Sequence, residues 1–170
     1  MDSIEIRKAK IDDVNGIAET IKTGIKRKAS PYLTTRRYTK AKLESLKSLL
    51  SSKSATTKFF VAVNTKKGKI VGSISYNFDP KGRMRHRVDY GLGVHPDYFG
   101  RGIGTKLLKF VLDDAKKSGF KRIEGEIAIK NKASWKMALK CGFKIEGIKK
   151  KAMLMDDGKY IDTYIVGKIL

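Results

Sequence analysis

The sequence predicts a mixed α/β fold, in which a central β-sheet carries helices on its faces. Three observations predict it. Short segments with strand periodicity recur along the whole chain, and segments with apolar residues at helical spacing interrupt them. The third observation is size, because 170 residues of which 41% are hydrophobic suit one domain. No repeat, low-complexity tract or linker divides the chain, so we expect a single domain over residues 1–170.

The predicted elements run as strand, helix, helix, and then mostly strands with two inserted helices. Asp12 is predicted to cap the first helix, which ends at a segment that contains Pro31. The strongest helix signal is an apolar stripe between Gly102 and Ser118. The other helices are predicted near Thr39–Ser52 and Lys132–Cys141, and the strands near Ile4–Lys8, Lys58–Asn64, Lys69–Phe78, Arg87–Val94, Arg122–Ile129, Lys144–Met153 and Lys159–Ile169.

Composition excludes several classes of protein. The longest apolar run, Phe59–Val63, is far shorter than the roughly 20 residues of a transmembrane helix. Nothing after Met1 resembles a signal peptide, so we expect a reducing, cytoplasmic location and no membrane partner. The single cysteine, Cys141, excludes an intrachain disulfide and a cysteine-cluster metal site. Two histidines are too few for a multi-histidine site, and no metal is predicted.

The net charge is unusual for a domain of this size. Lysines and arginines total 38 against 17 acidic residues, which gives a formal charge of +21. This charge favours attraction to a polyanion such as nucleic acid, the ribosome or a phosphorylated cofactor, but a solvated basic surface explains it as well. The clustered cations are Arg36–Arg37, Lys149–Lys151, and the alternating set Lys81, Arg83, Arg85 and Arg87, which would share one face if that segment were extended.

The segment Tyr90–Leu112 carries the clearest chemical signal. A strand runs into a proline-containing turn, a glycine-rich loop and an amphipathic helix. Gly100, Gly102 and Gly104 allow a tight turn and close approach of a ligand to the backbone. The helix that follows offers unpaired N–H groups and the positive end of its dipole. The sequence therefore predicts a site for phosphate or pyrophosphate at this loop.

Two common phosphate loops do not fit this segment. A nucleotide P-loop requires Gly-Lys-Ser/Thr, whereas the order here is Gly104, Thr105, Lys106. The dinucleotide fingerprint would need glycine in place of Thr105 and would open the chain. An ordinary strand-to-helix turn without a ligand is the remaining structural alternative.

The stretch VHPDYFGRGIGTKLL resembles the acetyl-CoA loop of the GNAT superfamily of N-acetyltransferases. That loop reads Gln/Arg-x-x-Gly-x-Gly/Ala after a strand ending in Val-x-Pro; Gly102 and Gly104 match, and Phe99 departs from Gln/Arg. A second block, NKASWKMALKCGF, is similar to the family's Asn-x-x-Ala/Ser motif, with Asn131 and Ser134 in place. Gly142 and Phe143 follow at the family's spacing, and the first and last segments are also similar, so the resemblance covers the whole chain.

The resemblance implies a mostly antiparallel central sheet whose two central strands splay apart around acetyl-CoA, with helices on both faces. It implies backbone contacts from Leu92 and Val94 to the pantetheine arm and contacts from the loop to the pyrophosphate. For Asn131, a helix N-cap is the structural alternative. The implied cofactor-binding residues are Leu92, Val94, Phe99, Gly100, Arg101, Gly102, Ile103, Gly104, Thr105, Asn131 and Ser134.

The resemblance also implies direct transfer of an acetyl group to an amine that has lost its proton. Asp89 stands where relatives place a carboxylate base, and the structural alternative is a plain ion pair of Asp89 with Arg87 or another nearby cation. Glu124 and Glu126 share one strand face and are further candidates. The family's tyrosine acid is replaced by Ala138, so Tyr164 or Tyr160 is a candidate substitute.

The expected function is acetyl-CoA-dependent N-acetylation of a primary amine on a protein N-terminus, a lysine or a small molecule. The alternative is a catalytically weak module with this fold that binds nucleic acid or the ribosome through its basic surface. Acceptor choice in relatives depends on the first helices and the last hairpin, roughly residues 9–38 and 149–164. Both a monomer and a homodimer remain open.

Overall fold

A computed structural model describes residues 3–27, 40–52 and 56–170 of the chain. The strands are β1 (Ile4–Lys8), β2 (Thr57–Asn64), β3 (Lys69–Asn77), β4 (Arg87–Val94), β5 (Arg122–Ala128), β6 (Lys144–Leu154) and β7 (Tyr160–Ile169). The helices are α1 (Val14–Lys26), α2 (Lys40–Ser51), α3 (Ile103–Lys117) and α4 (Lys132–Lys140). Pro31 and the Arg36–Arg37 pair lie outside the described residues.

One seven-stranded sheet organises the described chain, with the strand order β1-β2-β3-β4-β5-β7-β6. Every neighbouring pair is antiparallel except β4 with β5, which are parallel and joined through α3. The predicted mixed α/β fold with a mostly antiparallel sheet is therefore confirmed. None of the helices in the described residues has the length and apolarity that crossing a bilayer requires.

The helices lie on both faces of the sheet, as the resemblance implied. On one face, α1 and α2 pack on β2 and β3 through a small core that includes Val14, Ile17, Leu46 and Val61. On the other face, the stripe of α3 is buried against the middle of the sheet, and Leu107, Leu108 and Val111 are completely covered. The sheet thus separates the molecule into two sides, which matters for the site described below.

The start of the first helix differs from the sequence-based expectation, because Asp12 does not cap it. A short 3-10 turn, Ile11–Asp13, precedes α1, and Asp13 is the residue next to the helix. The Asp13 carboxylate accepts hydrogen bonds from the backbone N–H of Lys10 at 2.6 Å and from both terminal nitrogens of Arg7 at 2.7 and 2.9 Å. Asp13 therefore anchors the entry to α1 onto β1 rather than capping the helix.

The basic segment before β4 also differs from its extended alternative. Residues 83–86 form a turn, in which Arg85 donates to the Gly82 carbonyl and the His86 ring contacts the Arg83 carbonyl. Of the four alternating cations, Arg87 alone lies in a strand. The segment therefore does not present four cations along one strand face.

Replacing Asp13 with asparagine should destabilise the fold by about 1–3 kcal/mol, because the buried carboxylate and its Arg7 partner lose their charged hydrogen bonds. The Arg7 hydrogen bond lowers the pKa of Asp13. Its stabilisation is therefore present above the unfolded-state pKa, near about 3.9, and is lost as the pH falls through the lower folded-state pKa. Urea unfolding at several pH values should show that the free energy of unfolding falls less steeply at acidic pH in Asp13→Asn than in the wild type. The control is Asp12→Asn, at the exposed neighbouring residue. Equal destabilisation by Asp12→Asn and Asp13→Asn would contradict the role assigned to Asp13.

Candidate active site

The two parallel strands at the centre of the sheet separate part-way along their length. β4 and β5 pair only through Arg87 with Arg122, Val88 with Ile123 and Asp89 with Glu124. Both strands then continue, β4 to Val94 and β5 to Ala128, without further pairing between them. A gap therefore opens between the two strands beyond Asp89 and Glu124. The family resemblance predicted this separation of the central strands.

The backbone of β4 presents polar groups to this gap. In an antiparallel ladder, alternate residues exchange hydrogen bonds with the partner strand, and the residues between them point away from it. His95 N–H donates to the Val71 carbonyl at 2.8 Å, which makes the odd-numbered residues of β4 the ones bonded to β3. The N–H and C=O groups of Leu92 and Val94 consequently point toward the gap.

The aromatic ring of Tyr90 packs at the point where β4 and β5 separate. The Tyr90 ring lies across Gly125, and a Cβ atom at Gly125 would be 2.6 Å from Tyr90 Cε1. The same ring contacts Phe143, with centroids 5.4 Å apart, on the α3 and α4 side. The Tyr90 hydroxyl is buried without a hydrogen-bond partner, and burial raises its pKa. Tyr90 and Gly125 thus form a packed pair at the apex of the gap.

The glycine-rich loop lies between the end of β4 and the start of α3. Gly100 and Gly102 have φ values of +75° and +74°, which side-chain-bearing residues rarely adopt, and a Cβ on either would point into open space. The first hydrogen bond of the helix runs from Lys106 N–H to the Gly102 carbonyl at 3.0 Å. The N–H groups of Ile103, Gly104 and Thr105 therefore have no partner within the helix.

Neighbouring residues fix this loop. His95 is 2% exposed, and its Nδ1 accepts from the Asp97 N–H. The Arg101 guanidinium lies over the Tyr98 ring at 4.9 Å from the centroid. At Gly104, a Cβ would be 2.9 Å from Met137 Sδ of α4, so the Met137 side chain would have to shift if this position carried one. These contacts hold the loop in place, while Gly100 and Gly102 remain open to a ligand.

The other predicted cofactor residues lie around the same helix ends. Phe99 is 48% exposed at the loop surface, and Ile103 is buried beneath it. Asn131 precedes α4, and its Oδ1 accepts from the Ser134 N–H at 3.3 Å, so the N-cap role is confirmed. A role of Asn131 or Ser134 in cofactor binding stays a prediction.

The carboxylates at the gap lie on the sheet face opposite α3. Asp89 and Glu124 are paired across β4 and β5, and Glu126 follows on the same face. Glu124 is held by Arg87 Nη1 at 3.0 Å and by Arg122 Nε at 2.8 Å. Partial burial and the neighbouring Glu124 raise the pKa of Asp89, although Arg87 and Lys149 act against this rise. Arg87 therefore pairs with Glu124, and Asp89 is left as the carboxyl with increased proton affinity.

Glu126 is held by two groups from the last hairpin. Its Oε1 accepts from the hydroxyl of Thr163 at 2.7 Å, and Thr163 is completely buried. Its Oε2 accepts from the Lys149 ammonium at 2.6 Å. These hydrogen bonds lower the pKa of Glu126 against the opposing effect of burial. Glu126 is therefore an ionised carboxylate that already binds an ammonium group.

Tyr164 lies on the other side of the sheet from these carboxylates. It pairs with the buried Ile127 and meets Trp135 edge to face, with centroids 5.9 Å apart. The structure thus brings Asp89 and Glu126 to one face and places Tyr164 under α4. Tyr164 as the acid stays a prediction. Cys141 is buried, and its pKa is raised by that burial, which fits a packed thiol rather than a nucleophile.

Sequence reasoning missed the residues that organise the acidic face. Lys149 of β6 and Thr163 of β7 meet Glu126 of β5 because β7 lies between β5 and β6, whereas Arg122 lies two residues before Glu124 on β5 itself. Alternating charges at Glu124 and Glu126 were the only signal in the sequence. Strand order brings Lys149 and Thr163 to Glu126.

Comparison with known proteins identifies the family. The model of the acetyltransferase (GNAT) family matches residues 26–143. The chain belongs to this family. An L-amino acid N-acetyltransferase of Escherichia coli is 28% identical over 103 residues, which cover 60% of this chain and 63% of that protein. The matched segment thus spans less than two thirds of that relative.

Solved structures share the fold over nearly the whole chain. An acetyltransferase of the GNAT family from Streptococcus pneumoniae superposes with a TM-score of 0.83 at 24% identity, covering 99% of this chain and 100% of that one. A phosphinothricin acetyltransferase from Sinorhizobium meliloti, solved in complex with acetyl-CoA, gives a TM-score of 0.82 at 21% identity, covering 98% and 88%. At these identities the likeness establishes the fold.

Replacing Gly125 with alanine should destabilise the protein by about 1–3 kcal/mol, because the new methyl group overlaps the Tyr90 ring. Chemical denaturation measures this effect. Gly93→Ala is the control, since a Cβ there meets no atom within 4 Å. A double variant, Tyr90→Leu with Gly125→Ala, should cost less than the sum of the single changes. Strict additivity of the two would show that the ring and the glycine do not interact.

Proposed function

We propose that this protein is an acetyl-CoA-dependent N-acetyltransferase that transfers an acetyl group directly to a primary amine. The observation that carries the proposal is the gap between β4 and β5 next to the open N-terminus of α3. One ligand that joins a pyrophosphate to an extended amide-containing arm matches both features. Family membership and the acetyl-CoA complex of the Sinorhizobium meliloti protein support the same choice.

The residues present fit such a ligand. The backbone N–H groups at the start of α3, with Gly100 and Gly102 beside them, suit a pyrophosphate, and Arg101 and Lys106 add positive charge. Leu92 and Val94 would hydrogen-bond the pantetheine amides through their backbone groups. When bound, acetyl-CoA supplies a thioester whose carbonyl carbon accepts the amine. We assign the polarisation of its carbonyl to the Val94 N–H.

The acceptor amine would approach on the face that bears the carboxylates. Three carboxylates lie there in a strongly basic chain, and Arg87, Arg122 and Lys149 balance much of their charge. We assign Asp89 as the group that accepts its proton, directly or through one water, because Asp89 has the raised pKa. The thiolate leaving group needs little assistance, since a thiol has a pKa of about 8.5. The alanine at position 138 is therefore compatible with turnover.

The first acceptors to test are free L-amino acids, because the Escherichia coli relative carries that activity in its name. Peptides with a free N-terminus and peptides with an internal lysine complete the panel. We infer a cytoplasmic protein of one domain. Light scattering would determine whether the protein is a monomer or a homodimer.

The alternative function, a module that binds nucleic acid or the ribosome, draws on the net charge and on the alanine at position 138 in place of the family's tyrosine. In the described residues, two members of the Lys149–Lys151 run are paired with acids: Lys149 with Glu126 and Lys150 with Asp162. The segment before β4 is a turn rather than a flat basic strand. The structure therefore favours the enzyme.

Thr105→Glu should weaken acetyl-CoA binding by roughly tenfold or more, because a carboxylate enters the first turn where the phosphates are proposed to bind. The same change suits the helix itself, since an acidic residue in the first turn stabilises the dipole. Calorimetric titration with acetyl-CoA measures the effect, and a thermal melt reports on folding. Ser45→Glu, in α2 on the opposite face, is the charge-matched control. Equal binding by wild type and Thr105→Glu would refute the site.

Glu124→Gln should shift the acidic limb of kcat/KM to lower pH. The Glu124 charge raises the pKa of Asp89, and only deprotonated Asp89 can accept the proton of the amine. Removing that charge lowers the pKa, so that Asp89 becomes competent at lower pH. Asp89→Asn should reduce kcat by roughly 100-fold with acetyl-CoA binding retained. An unchanged pH profile in Glu124→Gln, or full activity in Asp89→Asn, would remove Asp89 from this role.

A further inference from the structure

A lysine side chain of the protein lies on the proposed acceptor face. Lys149 extends from β6 across Thr163 of β7, and its Nζ lies 2.6 Å from Glu126 Oε2 on β5. The Asp89 and Glu124 carboxylates also act on this ammonium, because both contribute to the rise in its pKa. A primary amine of the chain is thus held among the three carboxylates proposed to receive the acceptor.

Glu126 brings this amine to the edge of the gap. Glu124 is the last residue of β5 that pairs with β4, and Glu126 follows two residues later on the same face. The β4 edge of β5 is unpaired at that position, because the two strands have already parted. The Lys149 ammonium is therefore bound to a residue that lines the proposed path of the thioester.

Strand β6 pairs irregularly with β7 just after Lys149. The register between β6 and β7 shifts between Lys149 and Met153, and Lys151 within that interval has a φ of +50°. β6 is one of the two edge strands of the sheet, and the Lys149 side chain is 55% exposed. A four-carbon side chain at an irregular edge can move from the Glu126 carboxylate toward the gap.

We propose that Lys149 is a self-acetylation site, modified within one chain by the acetyl-CoA bound to that chain. The inference rests on the proposed function. The Lys149 ammonium leaves Glu126 and gives one proton to the Asp89 carboxylate, directly or through one water, and the neutral Nζ attacks the thioester carbonyl carbon. An N–C bond forms, the C–S bond breaks, and the thiolate takes up the second proton released from nitrogen. The products are Nζ-acetyllysine and free coenzyme A.

The modification changes the charge of the acceptor face. Acetylation removes the Lys149 ammonium and with it the ion pair to Glu126. Glu126 then keeps its hydrogen bond from Thr163 and becomes free to bind the ammonium of an external acceptor. Lys149 is thus a first acceptor whose acetylation exposes a carboxylate to the next one.

The test incubates the full chain with acetyl-CoA and measures the occupancy of each lysine by peptide mass spectrometry. We expect Lys149 to exceed Lys150 by roughly tenfold or more, because an amine held beside the reacting group gains a large effective concentration. Lys150→Arg is the matched control, since its partner is Asp162 and it lies outside the acidic face. It should leave acetylation of Lys149 unchanged, whereas Lys149→Arg should abolish the dominant modification.

Two further arms separate enzymatic from chemical acetylation. Excess coenzyme A should suppress acetylation of Lys149 but not the low background at other lysines. The rate per chain should not depend on protein concentration. Equal occupancy at Lys149 and Lys150, no suppression by coenzyme A, or a rate that rises with concentration would overturn the proposal.

A parallel assay distinguishes the two levels of inference. If acetyl-CoA binds and external amines are acetylated while Lys149 stays unmodified, self-acetylation is wrong and the proposed function stands. If acetyl-CoA does not bind, both fail together. If Lys149 is modified but no external amine is acetylated, self-acetylation is supported. The part of the proposed function that concerns an external acceptor is then wrong.

Discussion

The early end of the pairing between β4 and β5 is the constraint on which the site depends. Only three residue pairs join these parallel strands before they separate. Beyond that point, the backbone groups of Leu92 and Val94 face a gap instead of a neighbouring strand. Because backbone polar groups seek hydrogen-bond partners, an extended ligand with amides of its own is the natural occupant. The Tyr90 ring on Gly125 supports the apex from one face, and α3 begins beside the open end.

The sheet also divides the chemistry between its two faces. The glycine-rich loop, α3 and α4 lie with the large core on one side, and the carboxylates Asp89, Glu124 and Glu126 lie on the other. A ligand in the gap between strands would touch both sides, so an anion can be bound on one face while a cationic amine approaches from the other. Within this +21 chain the three carboxylates form a local acidic group, and Arg87, Arg122 and Lys149 balance much of its charge.

Much of the fold could be predicted because its signals are local. The strand at Ile4–Lys8 and the helix stripe from Leu107 to Ala115 follow periodicities of two and 3.6 residues, and the structure has both. Asp12 was the wrong cap because Asp13 bonds Arg7 on β1, a contact that local helix rules do not contain. The segment before β4 turns instead of extending, since Arg85 and His86 reach back to carbonyls three residues earlier.

The sequence alone determined the family resemblance, the glycine loop and the two central strands, because each of these depends on residues close together in the chain. Gly102 and Gly104 act through φ and through the absence of a side chain, and both properties are intrinsic to glycine. Only the tertiary structure decided what surrounds the carboxylates. Placing β7 between β5 and β6 brings Lys149 and Thr163 to Glu126, and parallel pairing brings Glu124 against Asp89. Those contacts join residues far apart in sequence, and strand order, which no local pattern encodes, determines them.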